Sequence, residues 1–90
     1  MLVDDETSLA WALAEAANPD LNTVERNNIH VPIAIGDTFA VIRHLIIAAA
    51  DQRITLTADL VRRCVSWLNA YAGHEDEQHL RGLLQHVHAT

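Results

Sequence analysis

Lysine is absent from this 90-residue chain; its whole positive charge rests on six arginines, against twelve carboxylates. The net charge of −6 argues against general binding of nucleic acid or an anionic membrane. There is one cysteine, so no internal disulfide can form, and a reducing cytoplasm is the expected location. Only four aromatic residues occur (Trp11, Phe39, Trp67 and Tyr71), which leaves Leu, Ile, Val and Ala to build the core. The three glycines are isolated from one another, so no phosphate-cradling glycine loop exists. No apolar run reaches the roughly 20 residues that a bilayer requires. The longest, Phe39 to Ala50, is interrupted by Arg43 and His44 and reads as a core helix. The acidic start (Asp4, Asp5, Glu6) is unlike the basic head of a secretory signal.

Half the residues are apolar and a fifth charged, a globular balance for a single domain. Thr7 or Ser8 can cap a first helix over about 8–17, which Asn18-Pro19-Asp20 ends. Asn22-Thr23-Val24-Glu25 has the form of a capping box and opens a short helix over about 23–30. From Ile29 to Gly36, β-branched residues alternate as in a strand, but Pro32 interrupts them and no partner strand is visible. A Pro-kinked or broken helical segment stopped by Gly36 is expected instead. Asp37 or Thr38 caps a broadly apolar helix over about 38–52, and Thr57 caps another over about 58–72. That helix is the clearest in the chain. Leu60, Val61, Cys64, Trp67, Leu68 and Tyr71 share one side, and Asp59, Arg62, Arg63, Ser66 and Asn69 the other. After Gly73 a last helix spans about 75–87, its acidic first turn favoured by the macrodipole. The expected fold is all-α: a compact single-domain bundle of four or five helices with no sheet.

Few residues are available for chemistry. His74, His79, His86 and His88 crowd the C-terminal segment beside Glu75 and Glu77. His74 and His79 are five apart rather than the four of a zincin motif, so they diverge by about 140° on a helix. His79 and His86 are separated by about 10.5 Å along a helix axis, too far to share a zinc. Glu75 and His79, helped by His44 or His30, form the only metal alternative, and an ordinary surface i,i+4 pair is the simpler reading. No metal site or cofactor is therefore expected. Protonation of all six histidines would move the formal charge from −6 to 0 (−6 + 6) between about pH 8 and pH 5, as any histidine-rich surface does.

Arg62, Arg63, Ser66 and Asn69 offer the side chains that a DNA-recognition helix presents to a groove. The connector 53–57 is longer than the turn of a helix-turn-helix, and Asp59 stands within pairing distance of both arginines. A protein contact fits these residues better. Trp11 lies opposite Leu13 on its helix, so it either marks an interface or is clamped by Leu2 and Val3, the second being simpler. Cys64 falls on an apolar side, Ser8 and Ser66 have no evident base, and the carboxylates lie in caps and turns. An enzyme is not expected.

Val24-Glu25-Arg26-Asn27-Asn28-Ile29 and Gly73-His74-Glu75-Asp76-Glu77 resemble stretches of small, uncharacterised helical proteins of actinobacteria, of the mycobacterial type. The lysine-free, alanine-rich composition of a GC-rich genome agrees with such an origin. The resemblance implies a helical fold and carries no activity, cofactor or site residue with it. The expected role is a cytoplasmic, non-enzymatic module that binds a protein partner or another copy of itself. The alternatives are a DNA-associated regulator using Arg62 and Arg63, and a histidine-mediated metal-binding protein.

Overall fold

The computed structural model describes residues 5–87, with Asp5 described by its backbone alone. Five α-helices follow in order: α1 (Asp5–Ala17), α2 (Thr23–Ala34), α3 (Thr38–Ala50), α4 (Ala58–Asn69) and α5 (Glu77–Leu84). A single 3-10 turn (Asn18–Asp20) joins α1 to α2, and no strand occurs among the described residues. The fold is an all-α single-domain bundle. Its radius of gyration is 12.2 Å, against about 12 Å for a compact chain of this length.

α3 is the hub. It packs on α1, α2 and α5, while α4 packs on α1 and α5. Val41, Ile42, Leu45, Ile46, Ala48 and Ala49 of α3 are all buried, which accounts for a helix that is apolar around most of its circumference. Leu9, Leu13, Ala14 and Ala17 of α1, Ile29 and Ile33 of α2, and Leu80 and Leu84 of α5 are buried in the same core. Ile54 and Leu56 of the connector are buried as well. No helix among the described residues is long and apolar enough to cross a membrane.

Local chemistry sets most helix ends. Asn22 Oδ1 accepts from the Glu25 amide at 2.8 Å, and the Asn22 amide donates to Glu25 Oε1 at 3.0 Å, a complete capping box. Thr57 Oγ1 accepts from the Leu60 amide at 3.2 Å and starts α4. Six boundaries depart from the pattern in the sequence, among them the end of α3, which closes at Ala50 rather than residue 52. α1 begins by Asp5, ahead of the cap expected at Thr7 or Ser8. α2 runs unbroken through Pro32 to Ala34, because Ile29 and Ile33 are buried four residues apart on one side of it. Proline removes the amide that would bond the Asn28 carbonyl, and Asn28 is exposed, so water can serve that carbonyl. Gly36 does stop the helix, with φ +90° and the Asp37 amide donating back to the Pro32 carbonyl at 2.8 Å. α4 closes at Asn69 rather than residue 72, and α5 starts at Glu77 rather than 75 and ends at Leu84. Between them Gly73 takes φ +91°, and His74 Nδ1 accepts from the Asp76 amide at 3.1 Å, holding this stretch as a turn.

Candidate functional site

A groove of about 940 Å³ opens between α1 and α4, lined by Glu6, Leu9, Arg62, Arg63, Ser66, Trp67, Ala70 and Tyr71. Its construction begins with α4. Leu60, Cys64, Trp67 and Leu68 face the core, which leaves Arg62 and Ser66 exposed and Arg63 half-buried along the groove edge. Phe39 of α3 lies under the aromatic floor, with ring centroids 5.2 Å from Trp67 and 5.0 Å from Tyr71. The Trp67 and Tyr71 rings are themselves 5.1 Å apart. Distances of this kind are those of favourable aromatic pairs.

Glu6 fixes the floor in place. Its Oε1 accepts from Trp67 Nε1 at 2.8 Å and from the Tyr71 hydroxyl, and its Oε2 accepts from Thr38 Oγ1 at 2.6 Å. One carboxylate thus binds α1 to α3, α4 and the turn after α4. Thr38, buried at the start of α3, turns its hydroxyl to Glu6, and the preceding Asp37 makes no side-chain cap. The indole and phenol find in Glu6 the acceptor that such groups need when taken from water.

Above this floor the two arginines differ. Arg62 makes an exposed i,i+3 pair with Asp59 at 3.4 Å, of a type worth about 0–1 kcal/mol. Arg63 has no hydrogen-bond or ion-pair partner among the described residues. The other guanidiniums are held: Arg26 by the Asn18 carbonyl, Arg43 by Asp76, Arg53 by Glu25, and Arg81 by Glu77 and Asn69. Asn69, expected beside Arg62, Arg63 and Ser66, is therefore drawn to α5 and does not line the groove. Glu6 and Leu9, which do line it, carried no local signal, since Glu6 reads as part of an acidic lead-in.

The remaining expectations sort as follows. Cys64 is fully buried, and burial pushes its thiol up to about 12, with the charge of Arg63 acting weakly in the opposite sense. Such a thiol stays protonated and unreactive at neutral pH. His74, His79 and His86 are exposed, and Glu75 lies in the turn before α5, so Glu75 and His79 do not form an i,i+4 pair on one helix. Among the described residues no group of three or more His, Cys, Asp or Glu side chains converges as metal ligands do. His88, and any contact of Trp11 with Leu2 or Val3, lie outside the described residues. Trp11 itself is 40% exposed, its ring 5.6 Å from that of His30. α4 is joined to α3 by the long connector 51–57 and packs mainly on α1 and α5, unlike the tight pair of a helix-turn-helix. A second, smaller cleft of about 410 Å³ between α2 and α3 has its one arginine, Arg53, already bonded to Glu25 at 2.9 Å. Against family models, curated proteins and solved structures, the chain finds no match.

Proposed function

We propose that this chain is a small, non-enzymatic protein-interaction module that receives an acidic segment of a partner protein in the groove between α1 and α4. One observation carries the reading. An aromatic and apolar floor (Leu9, Trp67, Ala70 and Tyr71) lies beside two arginines, one of which has no partner among the described residues. Hot spots of protein interfaces join tryptophan, tyrosine and arginine in this way. The lining follows α4 from Arg62 to Ala70, about 12 Å at the helical rise, a length suited to an extended segment of a few residues. Burial of apolar side chains on the floor supplies affinity, and a carboxylate on Arg63 supplies direction. The Glu6 oxygens already accept from Thr38, Trp67 and Tyr71, so they are turned to the floor, and the nearby Arg63 supplies the charge that a carboxylate would meet. Duplex DNA is a poorer fit, because one unpaired guanidinium on a chain of net charge −6 neutralises little phosphate.

The test is selection of a displayed library of random peptides on the purified chain, with Arg63→Glu in parallel. Wild type should enrich peptides that combine aspartate or glutamate with an aromatic or aliphatic residue, and Arg63→Glu should lose them. Enrichment without acidic residues, or binding that survives the charge reversal, would rule this groove out as the site.

A further inference from the structure

The outward side of α2 is built unlike a solvated helix face. Val24 and Val31 of α2 and Ile35 at its C-terminal cap are 66%, 59% and 75% exposed. With the exposed Asn28 they make one stripe, at successive spacings of four, three and four residues. That alternation is the 3.5-residue repeat of a coiled-coil seam. At about 100° per residue the stripe stands opposite Ile29 and Ile33, the buried side of the same helix. No charged residue interrupts it. Glu25 is held by the Asn22 amide and Arg53, and Arg26 by the Asn18 carbonyl. The exposed neighbours Asn27 and Ala34 are uncharged too. A single exposed valine needs no explanation, but a charge-free apolar stripe on an acidic protein does.

We infer that α2 is a self-association helix, through which two copies of this chain meet as a parallel pair about a two-fold axis. Two features select a second copy as the occupant. The first is charge: at −6 per chain, most approaches set carboxylates against carboxylates, and on this stripe neither copy presents one. The second is Asn28, which occupies the seam position where a buried asparagine sets register and pair number. Across a two-fold axis each Asn28 amide can donate to the carbonyl oxygen of the other. An apolar partner would leave that amide unsatisfied. α2 has 12 residues, about 18 Å of helix. Its paired area therefore falls below the roughly 800 Å² per partner of a standard interface, so the dimer is weak and reversible. The surface is separate from the α1–α4 groove.

Sedimentation velocity of the full chain, from micromolar to millimolar concentration, tests the inference. Wild type should pass from monomer to dimer. Val31→Glu, which puts two carboxylates across the axis, should weaken the dimer by about tenfold or more, while Arg62→Glu on α4 leaves it unchanged. Should Val31→Glu lose helicity by circular dichroism, Val31→Ser probes the same contact with less disturbance. In a parallel pair Val24→Cys meets its own copy and cross-links on oxidation, whereas in an antiparallel pair it would face Ile35 and not cross-link. A wild type that stays monomeric throughout overturns the inference and leaves the stripe to a different protein or to chain outside residues 5–87. A dimer that Arg62→Glu removes and Val31→Glu preserves overturns it as well.

Discussion

α2 and α4 each turn one side to solvent, and the two sides are built on opposite plans. α4 keeps Leu60, Cys64, Trp67 and Leu68 inside and sends Asp59, Arg62 and Ser66 outward. α2 bends its charged residues, Glu25 and Arg26, onto neighbouring parts of the chain and sends Val24, Val31 and Ile35 outward. An ordinary amphipathic helix explains the first plan, apart from Arg63, which has no partner among the described residues. No packing among the described residues explains the second. The pair therefore separates two kinds of surface: a charged rim above an aromatic floor, and a neutral stripe that carries one amide.

Substitutions can break that distinction, beginning with those expected to cost most. Leu45 is fully buried at the hub, and Leu45→Ala should cost about 2–5 kcal/mol in urea unfolding. Val31→Ala and Arg63→Ala should each stay within about 0.5 kcal/mol of wild type, as surface changes do. A large cost at Val31 would make the α2 stripe part of the fold and erase the contrast. Glu6→Ala comes next. It leaves the Trp67 indole, the Tyr71 hydroxyl and the Thr38 hydroxyl without their acceptor, at about 2–3 kcal/mol. Peptide selection at the groove should fail in this variant while sedimentation of the α2 dimer is unchanged. Asn22→Ala is the converse. Loss of the capping box should cost about 1 kcal/mol by thermal unfolding, and it should weaken α2 pairing more than groove binding.

The smallest effect is expected in acid. Glu77 lies below the usual carboxylate range, held there first by its hydrogen bond from Arg81. Glu25 is lowered first by the Asn22 amide and then by Arg53. A lowered folded value means that stability is present above the unfolded glutamate value of about 4.3 and is lost as pH falls through the lowered one. Unfolding midpoints measured from pH 5 downward should therefore decline, and Glu77→Gln or Glu25→Gln should each flatten the decline slightly. No flattening in either variant would mean that these pairs are fully screened by solvent.

What could be read from the sequence was whatever neighbouring residues decide together. The Asn22–Glu25 box, the Thr57 cap and the inward side of α4 are local patterns, and the structure keeps them. Pro32 pointed to a kinked or broken segment after residue 30; the helix continues through it to Ala34, where burying Ile29 and Ile33 together outweighs one missing hydrogen bond that local propensity registers alone. Arg62, Arg63 and Ser66 stood out as a group and do share the groove edge, whereas Asn69 left the group for Arg81, a residue on another helix. Glu6 was invisible as a floor residue for the same reason: Thr38, Trp67 and Tyr71 are 32, 61 and 65 positions away.

Those separations bear on the order in which the molecule assembles. α1 is synthesised well before Trp67 and Tyr71, yet the bonds from Glu6 to both must wait until they have been made. Closing so long a loop carries an entropic cost that the short helix-to-helix contacts of this bundle avoid. Until then the apolar side of α1 can rest on α3, but its carboxylate stays in water and the groove has no floor. The groove is thus completed by contacts more than 60 positions apart, and a polypeptide halted before α4 would carry the outward stripe of α2 with no groove beside it.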